Sequence, residues 1–151
     1  MSDEANQNAL SSLLKSAKRL SQASDAANAL ISSIQASLVE ANFGIEHWAY
    51  NDPLEISDND AGEEEHLVLG FYKSSSGWCL ATKMCAHGED EEGTHIRSWS
   101  WNPLLKAPRE TRIEALRIMP KFLASLEGRI QQATSQVETA VQKLALQREE
   151  K

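Results

Sequence analysis

Residues 10–38, LSSLLKSAKRLSQASDAANALISSIQASL, decide the fold. Leu10, Leu13, Ala17, Leu20, Ser24, Ala27, Ile31, Ile34 and Leu38 recur at alternating steps of three and four, with Ser24 the only polar interruption. That is the a/d seam of a helix built to lie on another helix. A second seam, Leu123, Leu126, Ile130, Ala133, Val137, Val141 and Leu144, runs towards the other end of the chain.

The first seam predicts a helix over 6–41, stopped by Asn42-Phe43-Gly44, with Gly44 suited to a left-handed position. The second predicts helices over 108–148. Pro108 suits a first helical position, and Pro120, having no N–H for the preceding turn, predicts a kink or a new start. Length raises a question at once. Thirty-five helical residues span ~52 Å, whereas a compact globule of 151 residues is only ~38 Å across. Either the first helix breaks near Ser24-Asp25 and folds back, or another copy covers the overhang. Pairing through Leu10, Leu13, Ala17 and Leu20, as a twofold dimer, is the expectation taken forward.

The intervening region, 45–101, reads as antiparallel strands over 45–50, 66–73, 78–86 and 94–101, with a polar loop through 53–65 and turns at 74–77 and 88–93. Alternation places Leu67, Leu69, Phe71, Trp78, Leu80, Met84, Trp99 and Trp101 on one heavy face. Val68, Gly70, Tyr72, Cys79, Ala81, Cys85, Ile96, Ser98 and Ser100 occupy the lighter one. The fold class is therefore α+β: one domain, 1–151, with a three- to four-stranded antiparallel meander packed against long N- and C-terminal amphipathic helices. Leu30, Ile34, Leu38, Leu80, Trp99, Leu116, Leu123 and Ile130 are the expected core.

The formal net charge of −7 is concentrated in the middle, where residues 46–106 carry four bases against twelve acids. The acids fall mostly in two runs, 52–65 and 89–92. Such a surface repels phosphate, so direct nucleic-acid binding there is not expected. No apolar run approaches the ~20 residues of a membrane span, and Met1-Ser2-Asp3-Glu4 lacks a basic, apolar leader, so a cytoplasmic protein is expected.

Cys79, Cys85, His87 and His95 are the weak metal candidates, being zinc-ligand types. Their spacing, C-x5-C-x-H-x7-H, matches no structural zinc pattern, and His95 falls on the tryptophan side of the sheet, away from the other three. No metal and no cofactor are expected. The two cysteines read as reduced thiols, with a short-loop disulfide as the alternative. Cys85 with His87 as a nucleophilic pair lacks an orienting acid. Asp58, Asp60 and the acids at 63–65 fail the calcium-loop register. Among the four tryptophans, Trp101 is the one expected to stay exposed. Arg109, Arg112, Arg117 and Lys121 form a basic cluster, with Arg109 and Arg112 on one helical face. No phosphate loop, hydrolase elbow or kinase motif is present.

These features favour a non-enzymatic protein–protein interaction or regulatory module. It would oligomerise through its helices, with Leu10, Leu13, Leu20, Trp101, Arg109 and Arg112 as partner-binding residues, and present an acidic sheet end to a protein partner. One alternative is an acidic mimic of nucleic acid that blocks a DNA- or RNA-binding protein. Another is a small cysteine–histidine metalloprotein or enzyme.

Overall fold

The computed structural model describes residues 2–90 and 92–150, without the side chains of Glu89 and Asp90. Helix α1 (Ser2–Ala41) is a single helix of 40 residues, ~60 Å long at ~1.5 Å per residue. There is no break at Ser24-Asp25, so the fold-back alternative falls. Ser24 is half-buried, and its hydroxyl accepts a long bond, 3.5 Å, from Arg112 Nη2. The left-handed stop begins two residues before Gly44: Asn42 has φ 49° and Gly44 φ 65°. Asparagine is among the few residues that tolerate this left-handed geometry.

Five antiparallel strands follow: β1 (His47–Trp48), β2 (Glu55–Asp58), β3 (Glu64–Ser74), β4 (Gly77–Asp90) and β5 (Gly93–Pro103). The order is β1-β3-β4-β5, with β2 sharing the β1 side of β3. Strand β2 lies inside the segment expected to be a loop. The Asn59 side chain accepts N–H bonds from Ala61 and Glu63, both at 2.9 Å, and so forms the turn that returns 55–58 along 64–67. All four β2 residues are exposed, which is why hydrophobic alternation does not reveal it.

After a 3-10 turn at Leu104–Lys106, α2 (Arg109–Glu149) runs for 41 residues straight through Pro120. The expected restart there does not occur. Pro120 is exposed, and its ring removes only the bond to the Leu116 carbonyl. Pro108 precedes the helix instead of opening it, and its carbonyl accepts from Arg112 N at 3.1 Å.

Both helices lie on the heavy sheet face. Leu67 opposes Met84, Leu69 opposes Thr82, Phe71 opposes Leu80, and Met84 opposes Trp99. Leu69, Phe71 and Leu80 join Ile31 from α1, Leu104, and Ala115, Met119, Phe122 and Leu126 from α2 in one core. Beyond the end of β5, the β4 edge would leave a free donor at Leu80; its N–H donates to Gln35 Oε1 of α1 at 3.0 Å. Leu80 is fully buried, whereas Ile34, Leu38, Trp99, Leu116, Leu123 and Ile130 are half-buried. Leu30 is 53% exposed, contrary to expectation. It neighbours Ile31, and one residue turns ~100° away from the stripe.

Trp101 is also corrected. Thr82 pairs with Asn102 and Met84 with Trp99, so Lys83 alone faces two β5 residues. Ser100 absorbs this bulge at φ 58°, and the extra residue rotates Trp101 from the heavy face to the lighter one.

Trp48 of β1 lies flat over Gly70, where an added Cβ would sit 2.1 Å from its Cε3 atom. Gly70→Ala should therefore displace the indole and destabilise by ~1–3 kcal/mol. Leu80→Ala should cost ~2–5 kcal/mol, and Leu30→Ala under ~0.5 kcal/mol. Urea unfolding midpoints of the three variants check this ranking; equal costs for Leu30 and Leu80 would refute the placement of the α1 stripe.

Candidate functional site

Three surfaces stand apart from the packed core. The first is helical. On α1, the seam positions Ser24, Ala27, Ile31, Ile34 and Leu38 are buried or half-buried, yet every residue from 2 to 23 is exposed. On α2, Leu126, Ile130 and Ala133 face the core, while every residue from 134 to 150 is exposed. Each seam runs out from beneath its cover without changing character. Leu10, Leu13, Leu14 and Leu20 are 48–63% exposed, and Val137, Val141 and Leu144 are 59–63% exposed. Contacts between the helices run in the same direction along both. Ser24 meets Arg112 at one end, and Phe43 and Ile45 line a hollow with Ile130, Ala133 and Val137 at the other. The two uncovered arms therefore leave from opposite ends of the helical layer.

The second surface is the lighter sheet face, which no helix covers. Trp48, Val68, Ala81 and Cys85 are buried there beneath Tyr50, Tyr72 and Cys79. Lys83, only 5% exposed, stands at the centre. Its Nζ donates to Tyr50 Oη at 2.8 Å and lies 4.2 Å from the Trp48 ring, 5.0 Å from Tyr50 and 5.9 Å from Trp101. Among the described residues it has no carboxylate partner. Ring quadrupoles and one phenol take the place of a counter-ion. The rim carries the exposed apolar side chains Ile56, Ile96 and Trp101. Sequence reasoning missed Lys83, because a strand lysine reads as solvated; the one available signal is its position between Ala81 and Cys85 on an apolar face.

The third surface is the acidic end of the sheet. The β2–β3 turn and the β4–β5 hairpin end lie on the same side, and Arg97 Nη2 meets Glu63 Oε2 at 3.3 Å between them. His66 Nε2 lies 2.6 Å from Glu64 Oε1. Of the second acidic run, Glu91 and the side chains of Glu89 and Asp90 lie outside the described residues.

The four cysteine and histidine candidates do not converge. Cys79 and Cys85 are six residues apart on β4, ~20 Å along the strand, too far for one ion or for a disulfide; both are free thiols. His87 pairs with Ile96, whereas His95 pairs with Gly88 and lies on the opposite face. The structure instead brings His66 edge-on to His87, ring centres 5.8 Å apart. Among the described residues no three metal-ligating side chains are grouped to hold an ion.

Burial pushes both thiols up from their ordinary range, opposed by a hydrogen bond from Ser74 at Cys79 and by the charge of Lys83 at Cys85. Burial, then the nearby Arg129 charge, lowers His47, whose Nε2 lies 2.8 Å from Ser125 Oγ. Arg112 is half-buried and donates to the Ala107 carbonyl at 2.9 Å as well as to Ser24. It pins α1 to the start of α2 and is not available as a free partner contact. Arg109 and Trp101 are exposed.

No helix is long and apolar enough to cross a membrane among the described residues. Comparison with known protein families, curated proteins and solved structures finds no match.

Two outcomes test the lighter face. Tyr50→Phe leaves the Lys83 ammonium without its hydrogen bond and should cost ~1–3 kcal/mol in urea unfolding. Lys83→Met, which keeps the stem and removes the charge, should be near neutral or stabilising. In the native protein at neutral pH, a maleimide should label Cys79 slowly and Cys85 only after denaturation, since the thiolate is the reacting form. Rapid labelling of Cys85 would contradict its burial.

Proposed function

We propose that the chain is a non-enzymatic interaction module that self-associates through its helical arms and offers its acidic sheet end to a protein partner. One observation carries the self-association: the exposed seams are continuations of the buried ones, with the same spacing and residue types. A soluble surface gains nothing from the apolar run Leu10, Leu13, Ala17 and Leu20 at four successive seam positions, whereas a helix–helix contact requires one.

The energetics suit a reversible contact. Burying the exposed remainder of each leucine contributes ~1–1.5 kcal/mol, so eight of them in a pair give ~8–12 kcal/mol. Association costs at least ~4 kcal/mol. Against that smallest cost the net is at most about 4 to 8 kcal/mol, the millimolar to micromolar range. Regulation by concentration, or by a partner that adds contacts, suits such a module.

The second reading, imitation of nucleic acid, draws on the nearness of the two acidic runs at one sheet end. Two acids of the first run are already matched internally, Glu63 by Arg97 and Asp52 by Lys121 at 3.9 Å, which weakens a phosphate-like array. Salt-sensitive competition with DNA for a basic partner would favour that reading over the first.

Sedimentation equilibrium from about 1 to 300 μM tests self-association across the range set by that net free energy. The weight-average mass should rise towards twice 16.7 kDa. Leu13→Asp should hold the protein monomeric without unfolding it, because Leu13 lies in the stretch 2–23 of α1 that is exposed throughout. Ile31→Asp is no substitute for it: Ile31 is fully buried in the chain's own core, and the variant would unfold. A monomer at every concentration removes the self-association.

A further inference from the structure

Resting on the acidic-end part of that proposal, we infer that the partner segment is an extended peptide, added as a further strand along the open edge of β5. It carries apolar side chains on alternate residues and a lysine or arginine towards the β4–β5 hairpin. Strand β5 ends the sheet, paired to β4 on one side. Along such an edge every second residue turns its N–H and C=O away from the neighbouring strand, a row that another strand can pair in full. Residues 93–97 are exposed, and Ser98 and Trp99 are half-buried. The two edges of the sheet differ. On the far side β1 has two residues and β2 four, with Pro53 between them, the short, proline-interrupted form that resists pairing. On the near side Gly93–Trp99 runs regularly against 84–90 of β4. That stretch holds neither proline nor lysine, and Thr94, Ile96 and Trp99 favour extended backbone. The bulge at Ser100 closes only its far end.

Side chains along the edge set what the added strand must carry. On the lighter face Ile96 is 43% exposed, so a neighbouring strand gains by placing an apolar residue beside it. At the start of the edge Glu92, Gly93, Thr94 and His95 line a hollow. The His95 ring lies back over Gly88 of β4, where an added Cβ would meet its Nε2 at 2.7 Å, and so does not lie across the open edge. One wall of the hollow is a carboxylate, and residues 46–106 carry four bases against twelve acids. A cation is the complementary side chain there. A second copy of β5 is the poorer fit. Its one permanent cation, Arg97, already meets Glu63 at 3.3 Å and stacks on Trp99, with the guanidinium 5.3 Å from the ring. Paired antiparallel about Ile96, the middle of the regular stretch, each copy would also set Glu92 beside Ser100 of the other, where the bulge has turned the strand aside. Neither hollow would then receive a cation.

Selection of a display library of short random peptides on the full-length chain tests this, with hydrogen exchange reading out the bound mode. Selected peptides should carry apolar residues at alternate positions and a lysine or arginine near one end. The strongest, added as a synthetic peptide, should slow exchange at every second amide between Thr94 and Ser98. Ile96→Lys and Glu92→Lys, both at exposed positions, should each weaken that peptide several-fold and leave the urea midpoint unchanged. Basic peptides that respond to Asp58→Lys or Asp60→Lys but protect no amide of β5 overturn the strand addition, while the acidic end stands as a partner surface. If no selected peptide responds to Glu92→Lys, Asp58→Lys or Asp60→Lys, the acidic end is no partner surface and both readings fall. Peptides that protect β5 without carrying a basic residue overturn the assigned chemistry. Protection of the same amides that grows with protein concentration, without peptide, overturns the inference in favour of a second β5.

Discussion

Everything in this molecule depends on burying two helical stripes on one short stretch of sheet. Leu69, Phe71 and Leu80 form the floor, and Ile31, Met119, Phe122 and Leu126 fill it from above. This zone is far shorter than either helix. Cover therefore ends partway along both, and the sequence periodicity does not end with it. The accessory contacts serve the same zone: Gln35 closes the β4 edge, Arg112 ties Ser24 to the first turn of α2, and the 3-10 turn at Leu104–Lys106 brings Leu104 into the core. The helix–sheet contact is the source of stability, and the arms are what remains of the stripes.

The two sheet faces solve burial by different means. The heavy face uses apolar shape alone. The lighter face has no second layer, so its small residues, Val68, Ala81 and Cys85, are covered by large side chains folded down onto the sheet. Trp48 can lie flat only because residue 70 is glycine. Lys83 contributes its apolar stem to this cover, as long cationic side chains do, and its head is held by aromatic rings and Tyr50 without returning to water. A buried cation is retained at a cost unless the surroundings favour it; here π-faces and a phenol provide that favour. The excursion at 50–53 between β1 and β2 is what carries Tyr50 over the lysine.

Much of this was legible in the sequence because it is local. Period-three/four spacing named both helices, and period-two alternation assigned the faces of β3 and β4 and of β5 as far as Trp99. Failures occurred where a single residue changed the phase or a side chain replaced an apolar signal. The Ser100 bulge reversed Trp101, and no feature of Ser-Trp-Asn announces it. β2 forms because Asn59 makes a turn, not because 55–58 is apolar. Continuous helix through Pro120 reflects packing of Met119 and Phe122 on either side, a tertiary effect that overrides propensity. The tyrosine–lysine–tryptophan cluster joins residues from 48 to 101, beyond the reach of any window. Of the candidate partner-binding residues, Leu10, Leu13, Leu20, Trp101 and Arg109 are exposed, whereas Arg112 is engaged internally.

The helical arms also have a folding logic. An isolated segment of about 20 residues containing Ser11, Ser12, Ser16 and Ser21 forms helix only marginally in water. Here nucleation has already been achieved by the docked half of α1, so each arm residue adds only propagation. The arm extends as helix from a fixed root, with its leucines aligned before any partner arrives. Preorganisation of this kind lowers the ordering cost of association. It also makes the outermost turns the weakest, because neither packing nor a nucleus lies beyond them. A partner that covers Leu10 and Leu13 would therefore stabilise both its own contact and the last turns of the helix presenting it. Helix formation at the tip and association are linked through the same residues.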